Sequence, residues 1–277
     1  MKALKKVCSN IYLVFIFVLL YAPILTLMVL SFNQSKSRAR WGGFTTQWYT
    51  ELFQNEEILL AFRNTMIIAF LSALIATLIG LCACMAMNNM KKRWRSIFMG
   101  IANIPMLNAE IVTGISLMLV FLVIGNFLSR FDRELPFGFW TVLIGHITFN
   151  IPYTILSIMP KLRQTSRYTY EAALDLGASP LYAFWKVILP EIRPGMVSGF
   201  LMAFTMSVDD FIITHFTRGA GINTLSTMIY GQVRVGIRPS IYALSTLVFG
   251  TVLILLLIAN YLPGYRARKK AREEQMR

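Results

Sequence analysis

Long runs of apolar residues without charge constrain this chain more than any other feature. Ile11–Phe32, Thr65–Met87 and Ile241–Leu262 each extend for more than 20 residues with no acidic or basic side chain. At 1.5 Å of rise per residue, a helix of about 20 residues crosses the hydrocarbon layer of a bilayer. The backbone has no water to bond there, so a helix is the form that satisfies its own amides and carbonyls. Three further stretches are long enough to span, with polar interruptions: Ile97–Phe127, Phe137–Pro160 and Met196–Phe216. Six spans leave little chain for anything else. The expected fold is all-α and integral to the membrane, a single domain over residues 1–277. Composition agrees: 56% of residues are hydrophobic and only 14% charged, outside the range of soluble domains.

The formal net charge of +14 suggests nucleic acid until its placement is considered. With a cytoplasmic N-terminus, eighteen of the 27 basic residues collect on the inner side, in clusters at 2–6, 91–95, 161–193 and 266–277. That two-to-one bias is what the positive-inside rule requires, and it places both termini in the cytoplasm. The basic tail from Arg266 is then a solvated end at the inner surface, and no nucleic-acid partner is expected. The first span is expected to stay as an anchor, being longer than a signal-peptide core and lacking a small-residue cleavage pattern after it. Cys82 and Cys84 lie within the second span and read as small packing residues, since neither histidines nor further cysteines accompany them. The second span, rich in Ala, Ser and Gly, reads as a packing helix with no other role.

The remaining spans carry polar groups that are costly in lipid. Asn103, Pro105, Asn108 and Glu110 cluster midway along the third, and a carboxylate at mid-bilayer costs about 2.5–3.5 kcal/mol. Glu110 should therefore face the bundle interior, as part of a substrate path or paired with an asparagine or helix end, with a backbone break near Pro105. His146 in the fourth span reads as a histidine bonded to a neighbour. Asp209 and Asp210 end the fifth, in Ser207-Val208-Asp209-Asp210-Phe211. Consecutive helical residues point about 100° apart, so one acid can face a central path while the other reaches a neighbouring helix or an arginine such as Arg218 or Arg234. A dication moving through would meet Asp209 or Asp210 and Glu110 as counter-charges, with Phe204, Phe211 or Tyr230 offering cation–π faces. Thr217–Pro239 is expected outside, with a short interfacial helix near Leu225–Tyr230.

Between spans four and five lies a soluble-looking island, Tyr168–Pro190 (YTYEAALDLGASPLYAFWKVILP). Tyr168–Leu176 favours helix and Gly177 stops it in a left-handed turn. Ser179 caps a second helix with Pro180 at its first position, and that helix is expected to end at Pro190.

At these residues the chain resembles binding-protein-dependent ABC importer permeases. Glu171-Ala172-Ala173, Gly177 six residues on, and Val187-Ile188-Leu189-Pro190 match that family's EAA signature, with Val187 where isoleucine is usual. The resemblance implies a type I importer permease (MetI-like) fold with six transmembrane helices. It implies too that the island is a cytoplasmic coupling loop docking on a separate ATPase through Glu171, Ala172, Ala173, Gly177, Leu189 and Pro190.

Ser31-Phe32-Asn33, Trp41 and Trp48-Tyr49 in the first outer loop, a segment suited to the headgroup level, narrow the resemblance. Together with SVDDF they are similar to the spermidine/putrescine (PotC-type) permeases. Glu110 stands where those permeases usually have aspartate, and Ala109 where they have a second proline. By that resemblance Asp209, Asp210, Glu110, Phe211 and Tyr230 line a polyamine path. The implied partners are a PotB-like second permease, two copies of a PotA-like ATPase holding ATP and Mg, and a PotD-like polyamine-binding protein.

No G-x-x-x-x-G-K-[ST] loop is present, so the chain has no phosphate cradle of its own. Neither H-E-x-x-H nor G-x-S-x-G occurs, and two histidines are few for metal or triad chemistry, so no enzyme activity is expected of this chain. The expected function is the permease subunit of an ATP-driven polyamine importer in the bacterial inner membrane, working by alternating access. A permease for another cation such as ferric iron, and a proton-coupled secondary transporter using the three intramembrane acids, remain the alternatives.

Overall fold

The computed structural model describes residues 2–37, 39–131, 135–165, 167–251 and 253–254. In chain order the helices are α1 (Lys2–Leu30), α2 (Gln47–Gln54), α3 (Glu56–Asn88), α4 (Lys92–Leu107), α5 (Glu110–Ser129), α6 (Phe139–Gln164), α7 (Arg167–Asp175), α8 (Pro180–Ala183), α9 (Leu189–Asp209), α10 (Ile212–Thr217) and α11 (Leu225–Val235). A further helical run, α12, covers 239–251. Among the described residues β-structure is limited to one isolated bridge between Asn33 and Phe44. Among the described residues, five helical stretches are long and apolar enough to cross a membrane: Asn10–Leu30, Glu56–Asn88, Glu110–Ser129, Phe139–Gln164 and Pro180–Asp209. The sixth expected span, Ile241–Leu262, is helical through 251, and its remainder lies largely outside the described residues, as does the basic tail.

The chain forms two compact units, Met1–Leu59 with Gly231–Arg277, and Leu60–Tyr230. In the first, the loop after α1 is built around Asn33. Trp48 is not at a lipid-facing surface but 5% exposed, its indole N–H donating to the Asn33 carbonyl at 2.7 Å. Phe32 stacks on Phe44 and tilts against Tyr49, whose hydroxyl meets Ser31 Oγ at 2.8 Å.

In the second unit α6 is central and α9 packs along it. The close approach depends on Gly195 and Gly199, one helical turn apart on α9. A methyl group at Gly195 would stand 2.9 Å from the Ser157 carbonyl, and one at Gly199 3.2 Å from Ser157 Cβ. This small-x-x-x-small pairing is a membrane-helix device. On the other side of α6, Thr154 Oγ1 donates to the Ala76 carbonyl of α3 at 3.0 Å. A core of Leu81, Met87, Ile158, Met159, Leu162 and Ile192 joins the three helices. Cys84 is buried in it as expected, whereas Cys82 is exposed.

Two expected spans are broken. Ile97–Phe127 is not one helix: α4 runs through Pro105 to Leu107, Asn108 and Ala109 are extended (ψ 149° and 132°), and α5 begins at Glu110. The break therefore follows Pro105 by three residues instead of falling at it. The lost proline N–H is a single missing bond, which the turn around it spans. Met196–Phe216 is likewise interrupted: α9 ends at Asp209, Asp210 is extended (ψ 124°), and α10 restarts at Ile212.

The island after α6 follows its local signals as far as Ala183. Gly177 has φ +87°, and the Gly177 and Ala178 amides return to the Leu174 and Ala173 carbonyls at 2.9 and 3.1 Å, a Schellman stop. Ser179 Oγ accepts from the Tyr182 amide at 3.3 Å, with Pro180 opening α8. Pro190 does not end that helix. Phe184–Ile188 forms a π-helical turn in which the Leu189 amide reaches back five residues to Phe184, and the helix continues into α9. The wider turn removes the clash between the proline ring and the carbonyl four residues back, so Pro190 sits within the first turn of α9.

Candidate functional site

Both helix breaks open on one cavity. About 280 Å³ in volume, it is lined by Glu110, Asp209, Asp210 and Phe211 at the breaks and by Phe149, Met206 and Ile212 around them. Interrupted helices are tolerated at membrane depth where the freed backbone lines a cavity or finds protein partners. Glu110 is exposed and occupies the first turn of α5, where the helix dipole favours a carboxylate. Asp209 is exposed at the end of α9.

Asp210 is used differently. It is 8% exposed, and its Oδ1 accepts from the Ile213 amide at 3.2 Å while Oδ2 accepts from the Thr214 amide at 2.9 Å and the Thr214 hydroxyl at 3.0 Å. His146 Nε2 lies 3.4 Å from the same Oδ2 and 2.8 Å from Thr214 Oγ1. The histidine's Nδ1 bonds Ser207 Oγ, which meets Ser72 Oγ at 3.1 Å, and Ser72 Oγ accepts from Asn150 Nδ2 at 3.2 Å. Ser72 Oγ also donates to the Ala69 carbonyl of its own helix at 3.2 Å. With that hydrogen shared between Ala69 and Ser207, a neutral imidazole carrying its proton on Nε2 satisfies the links at both ring nitrogens, Ser207 donating to Nδ1. This buried string ties α3, α6, α9 and α10 together and sets the α9–α10 break.

The sequence brought Glu110, Asp209, Asp210 and Phe211 to one place, and the structure assembles those four. Tyr230 is not on the cavity wall; its ring packs on Phe211 with centroids 4.2 Å apart. Of the two arginines weighed as partners for the acids, Arg218 donates to Asn223. Ser72, assigned packing alone, is a hydrogen-bond junction, and Ser207 and Thr214 were missed as partners of His146. The visible signal for Ser207 was a hydroxyl one helical turn from the α9 break.

In the α7–α8 segment, Ala172 and Gly177 are exposed, Glu171 and Ala173 half-buried. Leu189 packs against the core beside Ile192, so it supports the segment from beneath, while Pro190 is exposed. Tyr168 (82% exposed), Leu176 (88%), Leu181 (68%) and Trp185 (58%) are large side chains left open along this segment.

Comparison with known proteins places this architecture. Residues 72–266 match the family described as "Binding-protein-dependent transport system inner membrane component". The chain belongs to that family. The permease is 36% identical over 261 residues to the putrescine transport system permease protein PotI of Escherichia coli (strain K12), covering 94% of this chain and 92% of that one. It is 34% identical to the spermidine/putrescine transport system permease protein PotC of the same strain, over 88% of this chain and 89% of that one. The PotC protein of Haemophilus influenzae is 33% identical over 91% and 94%. Among solved structures, a bacterial ABC transporter importing the acidic polysaccharide alginate aligns with TM-score 0.68 at 20% identity, covering 95% of this chain and 98% of that one. That likeness is one of fold. The permease is thus an all-helical, MetI-like membrane subunit of an ABC importer, without an enzyme activity of its own.

Proposed function

We propose that this permease carries polyamines, putrescine or spermidine, through the cavity between its two broken helices. The observation that supports this most is the convergence of two open carboxylates, Glu110 and Asp209, on one wall with the aromatic rings of Phe149 and Phe211. A flexible chain of ammonium groups and methylenes needs that combination of counter-charge and apolar or cation–π surface. The curated relatives are putrescine and spermidine/putrescine permeases, which favours the same cargo. An anionic cargo would meet repulsion from both acids.

In this reading both termini face the cytoplasm and the α7–α8 segment docks on the ATPase. The exposed side chains of Tyr168, Leu176, Leu181 and Trp185 supply the apolar contact, and the Gly177 turn sets the angle between the two helices. A PotB-like permease completes the path, two PotA-like subunits hydrolyse ATP with Mg, and a PotD-like protein delivers the polyamine. ATP binding closes the ATPase pair, the coupling segment moves as a unit, and α9 carries the motion directly to Asp209. The unbroken helical run Pro180–Asp209 suits that transmission. Reconstituted complex should raise its ATPase rate when given the binding protein loaded with putrescine or spermidine. An ATPase rate indifferent to both polyamines would remove the cargo assignment and leave the permease.

A further inference from the structure

The hydrogen-bond string behind the cavity has a place for one more proton. With His146 neutral, its Nε2–H points at Thr214 Oγ1 and Asp210 Oδ2, at 2.8 and 3.4 Å, and Nδ1 accepts from Ser207. The other donors to Asp210 are uncharged: the Ile213 and Thr214 amides and the Thr214 hydroxyl. His146 and Asp210 together then carry one negative charge, and Asp210 places it on the cavity wall.

The hydroxyls next to the ring can turn to receive a charged imidazole. Ser72 has two acceptors for its single hydrogen, Ser207 Oγ at 3.1 Å and the Ala69 carbonyl at 3.2 Å. When Nδ1 takes up a proton and donates to Ser207, Ser207 turns its hydrogen to Ser72, and Ser72 turns its own to Ala69. Asn150 Nδ2 donates to Ser72 in both arrangements, and the Nε2 side does not change. Each charge state leaves every donor of the string matched, at a histidine only 1% exposed, where an unmatched donor is costly. A histidine held for its shape alone needs neither the second arrangement nor the Ala69 acceptor that ends it.

We propose that His146 and Asp210 form a proton-loading site behind the cargo cavity: one proton on the pair cancels its negative charge and weakens the cavity's hold on a cation. The effect on transport rests on the polyamine reading above; the proton site does not. The other titratable groups facing this region are Glu110 of α5 and Asp209 of α9 on the cavity wall, and His215 of α10, which is exposed and stacks on Phe211 with centroids 5.2 Å apart. Tyr153 lies two turns along α6, and α3 presents no ionisable side chain in the turns around Ser72. Histidine is the side chain whose charge ordinarily changes near neutral pH, so the pair supplies a charge step there that carboxylates and a phenol in ordinary settings do not.

The test uses the whole importer in proteoliposomes, with isotope-labelled histidine in the permease alone, so that solid-state NMR reads each ring nitrogen. His146 should show a bare Nδ1 at about pH 8 and protons on both nitrogens at about pH 5.5. His215→Asn, which leaves His146 as the only histidine of the chain, assigns the signals. A bare Nδ1 throughout that range would overturn the proposal without recourse to any variant at the site. Putrescine uptake from the loaded binding protein is then measured in the same vesicles and normalised to each protein's own value at the alkaline end. On acidification it should fall roughly threefold further in wild type than in His146→Gln, because glutamine offers one donor and one acceptor and does not titrate. His215→Asn should keep the wild-type fall. Matching profiles for wild type and His146→Gln would also overturn the proposal. Protonation of Nδ1 with no polyamine uptake at any pH would remove the cargo assignment and leave the proton site standing.

Discussion

Asp209 and Asp210 are neighbours in sequence with opposite surroundings: Asp209 is open to the cavity, while Asp210 is 8% exposed and accepts from the Ile213 and Thr214 amides. The change from helix to extended backbone between them produces that division. One acid remains available to a cargo and the other holds the restart of the helix.

Neutralising them should therefore have different consequences. Asp209→Asn is expected to lower polyamine uptake at least tenfold, about 1.4 kcal/mol, with thermal stability of the complex unchanged. Asp210→Asn replaces one acceptor oxygen with a donor facing the Thr214 amide and the His146 pair, so it should destabilise the protein by about 1–3 kcal/mol. Uptake and detergent-solubilised melting temperature measured together separate the two. Equal melting temperatures for both variants would contradict the division.

His146→Ala should resemble Asp210→Asn in the stability readout. It strands Ser207 and the carboxylate side of Asp210 in a buried setting, at about 1–3 kcal/mol. His146→Phe fills the space without restoring the bonds and should not rescue. A melting temperature recovered by phenylalanine would mean that the ring's volume, and not its two nitrogens, is what the site uses.

Gly195→Ala should loosen the α6–α9 contact, since its methyl group would meet the Ser157 carbonyl at 2.9 Å. Gly100→Ala, where a methyl group meets nothing within 4 Å, is the matched control and should be neutral or slightly stabilising on helix propensity. Quantitative melting of both variants checks the pair.

Gly177→Pro should abolish uptake while leaving membrane insertion intact, because proline cannot adopt φ +87° and removes the amide that bonds Leu174. Gly177→Ala should be milder, at about 1 kcal/mol of local strain. Fractionation and uptake assays read the two effects, and normal uptake by the proline variant would remove the coupling assignment.

Features written in short, local signals were legible from the residues alone. Apolar run length gave five helical stretches long enough to cross a membrane, and Gly177, Ser179 and Pro180 gave the Schellman stop and the α8 cap. Glu110 and Asp209 could be grouped because unpaired acids are costly in lipid, and Phe211 because a cationic cargo calls for an aromatic face. Features depending on distant partners were not. Ser207 meets Ser72 across 135 positions and His146 across 61, and no local pattern encodes either meeting. Pro190 misled for a related reason. Its stop signal is real in an ordinary helix, and the π turn before it cancels the clash. The Asn108–Ala109 break was expected at Pro105, but a proline deletes one hydrogen bond and a neighbouring turn can absorb that loss. Trp48 looked interfacial until Asn33 supplied its partner.

The most direct test is ATP-dependent accumulation of radiolabelled putrescine and spermidine in vesicles carrying this permease with its partner subunits, wild type against Asp209→Asn. The account predicts accumulation that requires ATP, is competed by the other polyamine, and falls at least tenfold in the variant. Accumulation driven by a proton gradient without ATP, or ATP-dependent transport unaffected by Asp209→Asn, would contradict it.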